Sequence, residues 1–138
     1  MIDELVAKYP NDLRVVIKHF PLGNHKQARK ASLYSMAAER QGKFLEMEHK
    51  IFDNYRQLRT DEDLPRKYAQ EMGLDMVKFD KDMLDPALGA RIDKEVKQLK
   101  QSGIPRLAVP KFLINGKEPQ GKRSVASWSA IIDAELKK

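Results

Sequence analysis

The residue type best suited to covalent chemistry is absent from this sequence. None of its 138 residues is cysteine, which excludes thiol nucleophiles, disulfides and thiolate metal ligands within the chain. The three histidines, His19, His25 and His49, lack the i, i+4 spacing with which a helix presents two ligands to one ion, and ligation takes three or four convergent groups. Neither a metal site nor a cofactor is expected. The carboxylates Glu46 and Glu48, and those from Asp61 to Asp63, fall where solvated helix faces and caps put them, and no glycine-rich phosphate loop precedes a helix. No catalytic residue is assigned. The clearest local structural signal is the stretch Val109-Pro110-Lys111-Phe112-Leu113-Ile114-Asn115-Gly116, a single proline followed by a short apolar run that Asn-Gly closes. Asn-Gly is the strongest short signal for a two-residue hairpin turn, because both residues must accept positive φ. Lys111 to Ile114 therefore reads as a strand, turning into a second one near Lys117 to Lys122. Proline cannot donate to a ladder, so Pro110 belongs at the strand's first residue, a position where a cis bond is plausible.

The surrounding elements follow from periodicity and caps. Ile2 to Tyr9 reads as the tail of a helix stopped by Pro10-Asn11. Leu13 to Phe20 is a β-branched, apolar-dominated run, the pattern of a strand buried on both faces. His25 to Gln41 is helical, with a stripe of small residues at Ala28, Ala31, Ser32, Ser35 and Ala38 that permits close packing. Lys43 to Tyr55 follows Gly42, with Phe44, Met47, Ile51 and Tyr55 on one face, expected to be core. A helix from Leu64 to Met72 has Asp63 available as its cap and Gly73 as its stop. Another begins after Asp75. Asp85-Pro86 pairs an N-cap with proline at the first helical position and opens a long helix that ends before Gly103. Ser124 opens the last, carrying Trp128, Ile131, Ile132 and Leu136.

Composition sets the outer limits. A chain of 138 residues, 41% hydrophobic and 33% charged, suits one globular, helix-rich domain. No apolar run approaches the roughly 20 residues a membrane helix needs, so no membrane partner is expected, and Met1 leads into Ile2-Asp3-Glu4-Leu5 without a signal-peptide pattern. The net charge of +6 is concentrated in Lys97, Lys100, Arg106, Lys111, Lys117, Lys122 and Arg123, set against Glu118. A solvated basic surface is the expected reading. Nucleic-acid binding is not, because no interleaved aromatics or recognised module accompany the charge.

Four stretches together resemble the DsbA-like branch of the thioredoxin superfamily. They are Val109-Pro110 with Phe112 to Gly116, the passage Ile2 to Leu22, the run Ala37 to Met47 containing Gln41-Gly42-Lys43-Phe44, and the final helix around Trp128. The resemblance implies an α/β thioredoxin-like fold of the DsbA type. It would be a single domain over 1–138 with a helical insertion over roughly 25–101, N-terminally incomplete, its first and central strand missing. The family's chemistry is thiol–disulfide exchange by a Cys-x-x-Cys pair at a helix N-terminus. By the same comparison that pair should lie about two helical turns before Met1, so the chain as written is expected to be redox-inactive. The loop Pro105-Arg106-Leu107-Ala108 departs from the family pattern in length. Val109 and Pro110 would contact the backbone of a client protein or peptide. The family setting implies a periplasmic or otherwise extracytoplasmic location. Two readings stay open: most of a thiol–disulfide oxidoreductase, or a redox-inactive thioredoxin-like binding module that uses the proline surface or its basic flank. Removing a central strand would also leave a slot exposing Val15, Ile17, Phe112 and Ile114, through which chains could self-associate.

Overall fold

The computed structural model describes residues 1–105 and 107–138. Arg106, named in the basic stretch and the loop above, lies outside the described residues. Among the described residues seven α-helices form: α1 Ile2–Lys8, α2 Lys26–Glu39, α3 Phe44–Asp53, α4 Leu64–Glu71, α5 Met76–Met83, α6 Pro86–Lys100 and α7 Val125–Leu136, with a short 3₁₀ turn at Gln57–Arg59.

The expected α/β fold is not what is found. Among the described residues there is no strand and no sheet; one isolated antiparallel bridge joins Ile114 to Lys117. Residues 13–22 carry no regular structure. A strand exists only through its neighbour's hydrogen bonds, and the run Leu13 to Phe20 has none beside it. Instead of being covered on both faces, Val15, Val16 and Ile17 are 42%, 64% and 38% exposed. With no sheet among the described residues, they form no slot for a missing strand. The Asn-Gly turn does form, with φ of 47° at Asn115 and 81° at Gly116. Ile114 and Lys117 exchange both backbone bonds across it, at 2.8 and 3.0 Å, but the second strand to Lys122 does not continue.

The described residues fall into two compact units, Lys18–Ile104 and Met1–Ile17 with Pro105–Lys138. In the first, α2 packs against α3, α4, α5 and α6. Its C-terminal half is buried all round, from Tyr34 through Ala38, because Ser35, Ala37 and Ala38 let neighbouring backbones approach. Met36, Met47, Phe79 and Ile92 are fully buried around it, each worth about 1.5–3 kcal/mol over exposure. Phe79 stacks on Tyr34 at 5.9 Å. On α3 the expected core face holds for Met47 and Ile51, whereas Tyr55 lies past the helix end and is 49% exposed.

The caps explain where the helices start. Asp75 accepts from the Lys78 N–H at 3.0 Å and Asp85 from the Ala87 N–H at 2.9 Å, each meeting a donor that the first turn leaves unpaired. Asp63 does not cap α4. Its carboxylate accepts from the Tyr34 hydroxyl at 2.6 Å and pairs with Lys30 at 2.7 Å. Burial first, then this bond to a carboxylate, pushes the Tyr34 phenol far above its ordinary value. Gly103, at φ 74°, follows α6 as expected.

The other unit has its own core. Leu5, Tyr9, Trp128 and Ile132 from α1 and α7 are buried together, with Leu13, Phe112 and Ile114 packed against them. The Tyr9 hydroxyl donates to Asp133 Oδ1 at 2.7 Å. Ser124 caps α7, its hydroxyl accepting from the Ser127 N–H at 3.2 Å.

Candidate functional site

The Val109–Pro110 bond is cis. Val109 is half-buried and Pro110 is exposed. Beyond them Phe112 turns inward and meets Trp128 edge to face, ring centroids 4.8 Å apart at 67°. This contact ties the loop to α7. The outer face of Phe112 is covered by the Arg123 guanidinium, 5.3 Å from the ring centroid. Arg123 Nη2 also donates to the Pro110 carbonyl at 3.2 Å. The arginine is thus held from two sides, by a ring face and by a backbone acceptor, while remaining exposed.

The basic residues nearby are not equivalent. Lys111 is only 10% exposed and pairs with Glu118 at 2.7 Å. Lys122 and Arg123 have no carboxylate partner among the described residues. Glu135, below its ordinary value because Lys138 and then Asn115 donate to it, lies on α7 behind the turn.

The histidines do not converge. His25 is the exposed N-cap residue of α2 and makes no side-chain cap bond; its backbone carbonyl accepts from the Ala28 N–H at 3.0 Å. His49 is exposed on α3. Among the described residues, no group of three or more histidines, aspartates or glutamates could hold a metal. No helix there is long and apolar enough to cross a membrane.

His19 is the residue whose surroundings the sequence did not disclose. It is buried, and its backbone N–H donates to Glu95 Oε2 at 2.6 Å. Arg91 Nε donates to the other oxygen of that carboxylate at 3.1 Å, and Arg91 also pairs with Glu39 at 2.5 Å. The imidazole packs edge-on to Phe44, and its Nε2 is buried without a hydrogen-bond partner among the described residues. Burial lowers its pKa below 6.5, opposed by Glu48, Glu95 and Glu39 and reinforced by Arg91. One signal was legible, the i, i+4 spacing of Arg91 and Glu95. The contact from Glu95 to His19 spans 76 positions and leaves no such trace.

A family model described as thioredoxin matches residues 1–134. The chain belongs to the thioredoxin family. Curated relatives of this thioredoxin-family chain include the Na(+)/H(+) antiporter NhaA of Herminiimonas arsenicoxydans, 30% identical over 132 residues. The Na(+)/H(+) antiporter NhaA 1 of Mycolicibacterium vanbaalenii is 32% identical over 136 residues. Each match covers 96% of this chain but only 20% and 21% of the relative. The Na(+)/H(+) antiporter NhaA 3 of Salinispora tropica is 29% identical over 132 residues, again 20% of its length. The chain therefore spans about one fifth of the curated relatives it matches. No solved structure matches it.

Proposed function

We propose that this thioredoxin-family chain is of the DsbA-like, thiol–disulfide oxidoreductase type, and that its own residues serve client recognition: Val109 and Pro110 receive an extended segment of a client protein. The supporting observation is the build of that loop. A half-buried Val109 and an exposed Pro110 directly precede Phe112, which meets Trp128 edge to face, and the Pro110 carbonyl accepts from Arg123. An extended peptide offers backbone donors and acceptors to such a loop and gains affinity from main-chain bonds. Exchange itself needs a thiolate to attack a disulfide sulfur, and these 138 residues contain none. The chain on its own binds and does not turn over. By the same resemblance, its setting is extracytoplasmic.

Two measurements test this. A reduced, unfolded, cysteine-free client is titrated while the emission of Trp128, the sole tryptophan, is followed. Binding is expected to perturb it, and Val109→Glu to weaken binding at least tenfold by placing an unpaired charge in a half-buried position. Insulin-reduction turnover is expected to stay at background. Client binding unaffected by Val109→Glu would move the site elsewhere, and turnover by purified chain would refute the division between binding and chemistry.

A further inference from the structure

Arg123 sits against the backbone that the client is proposed to meet, and nothing in thiol exchange calls for an arginine there. The guanidinium has five N–H donors in a rigid fork. One is used on the Pro110 carbonyl at 3.2 Å, and the plane rests over Phe112 at 5.3 Å. Phe112 is itself fixed by Trp128. The remaining donors lie on an exposed residue with no carboxylate beside it among the described residues. The nearest acid in sequence on this stretch, Glu118, is occupied by Lys111 at 2.7 Å. A cation held this way has lost much of its side-chain freedom before any ligand arrives, which lowers the entropic cost of pairing.

We infer that Arg123 is a specificity-determining residue of the Val109–Pro110 surface, selecting extended client segments that carry an acidic side chain next to the residue lying over Pro110. The inference rests on the client-binding reading above. Lys122, also unpaired, adds charge of the same sign beside it, so the local field favours an anionic ligand. Arginine suits a carboxylate better than lysine does, because its fork can make two parallel bonds. A phosphodiester backbone is the competing anion. Against it stands the surface itself: the Arg123 guanidinium is bonded to the Pro110 carbonyl and covers the Phe112 ring, which takes that ring out of use for stacking a base.

The test uses the full chain and cysteine-free octapeptides of one apolar sequence differing at a single position, Asp, Asn or Lys. Binding is read from Trp128 emission and from amide shifts of residues 109–114. The Asp peptide is expected to bind about fivefold tighter than the Asn peptide at low ionic strength, and less so near 0.15 M salt as screening grows. Arg123→Gln should bring that ratio to about one, Arg123→Lys should keep only part of it, and Arg123→Glu should make the Lys peptide the preferred ligand. Reversal by charge is a readout that a structural role would not move, and far-UV spectra of each variant establish that it folds. If Asp and Asn peptides bind equally and Val109→Glu weakens both, the charge selection is wrong and the client surface stands. If no peptide binds, both fall. A single-stranded oligonucleotide that binds more tightly than the Asp peptide and is lost in Arg123→Gln would overturn the inference in favour of nucleic acid.

Discussion

His19 shows how much one buried polar side chain can decide. Its backbone N–H satisfies half of Glu95, yet Nε2 is sealed off without a hydrogen-bond partner among the described residues. An unpaired buried polar atom costs about 1–3 kcal/mol, and protonating it adds a charge where burial opposes one. The imidazole is therefore held below its ordinary value of 6.5. As pH drops below about 6.5, the unfolded chain takes up a proton that the native state refuses, so stability falls through that window and is fully present above it. Asp82 acts in a lower window. Lys78 above all, with Arg40 at 2.6 Å, holds its carboxyl below 3.8, so its contribution is present above that value and is lost only as pH falls through the depressed one. His19→Phe separates the two. It keeps the backbone bond to Glu95 and an aromatic edge toward Phe44 while removing the orphaned nitrogen. The melting temperature should be equal or higher at pH 7.5, and its fall between pH 7 and 5 should flatten. Parallel curves for wild type and variant would assign that fall to other groups.

At the scale of elements, local signals and nonlocal ones part company. Asp75, Asp85 and Ser124 announce their helices from the sequence because a cap and the N–H it meets lie within three residues. The Asn115-Gly116 turn is equally local. Strands are not: Leu13 to Phe20 has the composition of one, but a ladder depends on what lies beside it, and no composition supplies that. The site divides the same way. Val109, Pro110 and Phe112 were legible as a motif, whereas Arg123 over Phe112 is a contact across 11 positions that neither periodicity nor spacing encodes. The unpaired run has its own consequence. Among the described residues the backbone groups of Arg14 to Ile17 have no hydrogen-bond partner, and Val16 is 64% exposed. We propose that this segment drives self-association at high concentration, as an exposed apolar edge does. Val16→Lys places a charge at its centre and should lower the sedimentation-derived mass at millimolar concentration without changing the melt. Unchanged association would clear the segment.

For the molecule as a whole, the two units differ in how they are built, and this bears on how each unfolds. The Lys18–Ile104 unit is one continuous stretch holding α2 to α6. Met36, Ala37, Ala38, Met47, Ala69, Phe79 and Ile92 in its core have no exposed surface at all. The other unit joins two stretches far apart in sequence, so bringing them together carries a loop-closure cost that a continuous stretch avoids. Its core is smaller, with Leu5, Tyr9, Trp128 and Ile132 at the centre. Fewer buried contacts against a larger entropic cost make a region that opens at lower free energy. The chain carries a reporter for each. Trp128, the sole tryptophan, lies in the smaller core, while five of the seven helices, and hence most of the far-UV signal, lie in the larger unit. In a urea titration the Trp128 emission should change at a lower midpoint than ellipticity at the helix band. Hydrogen exchange should likewise show the amides of α2 and α6 protected longest. Coincident curves from the two probes would mean that one cooperative transition covers the whole chain. Peptide bound at Val109–Pro110 provides the decisive variation. It should raise only the Trp128 midpoint if the units unfold separately, and both midpoints equally if they do not.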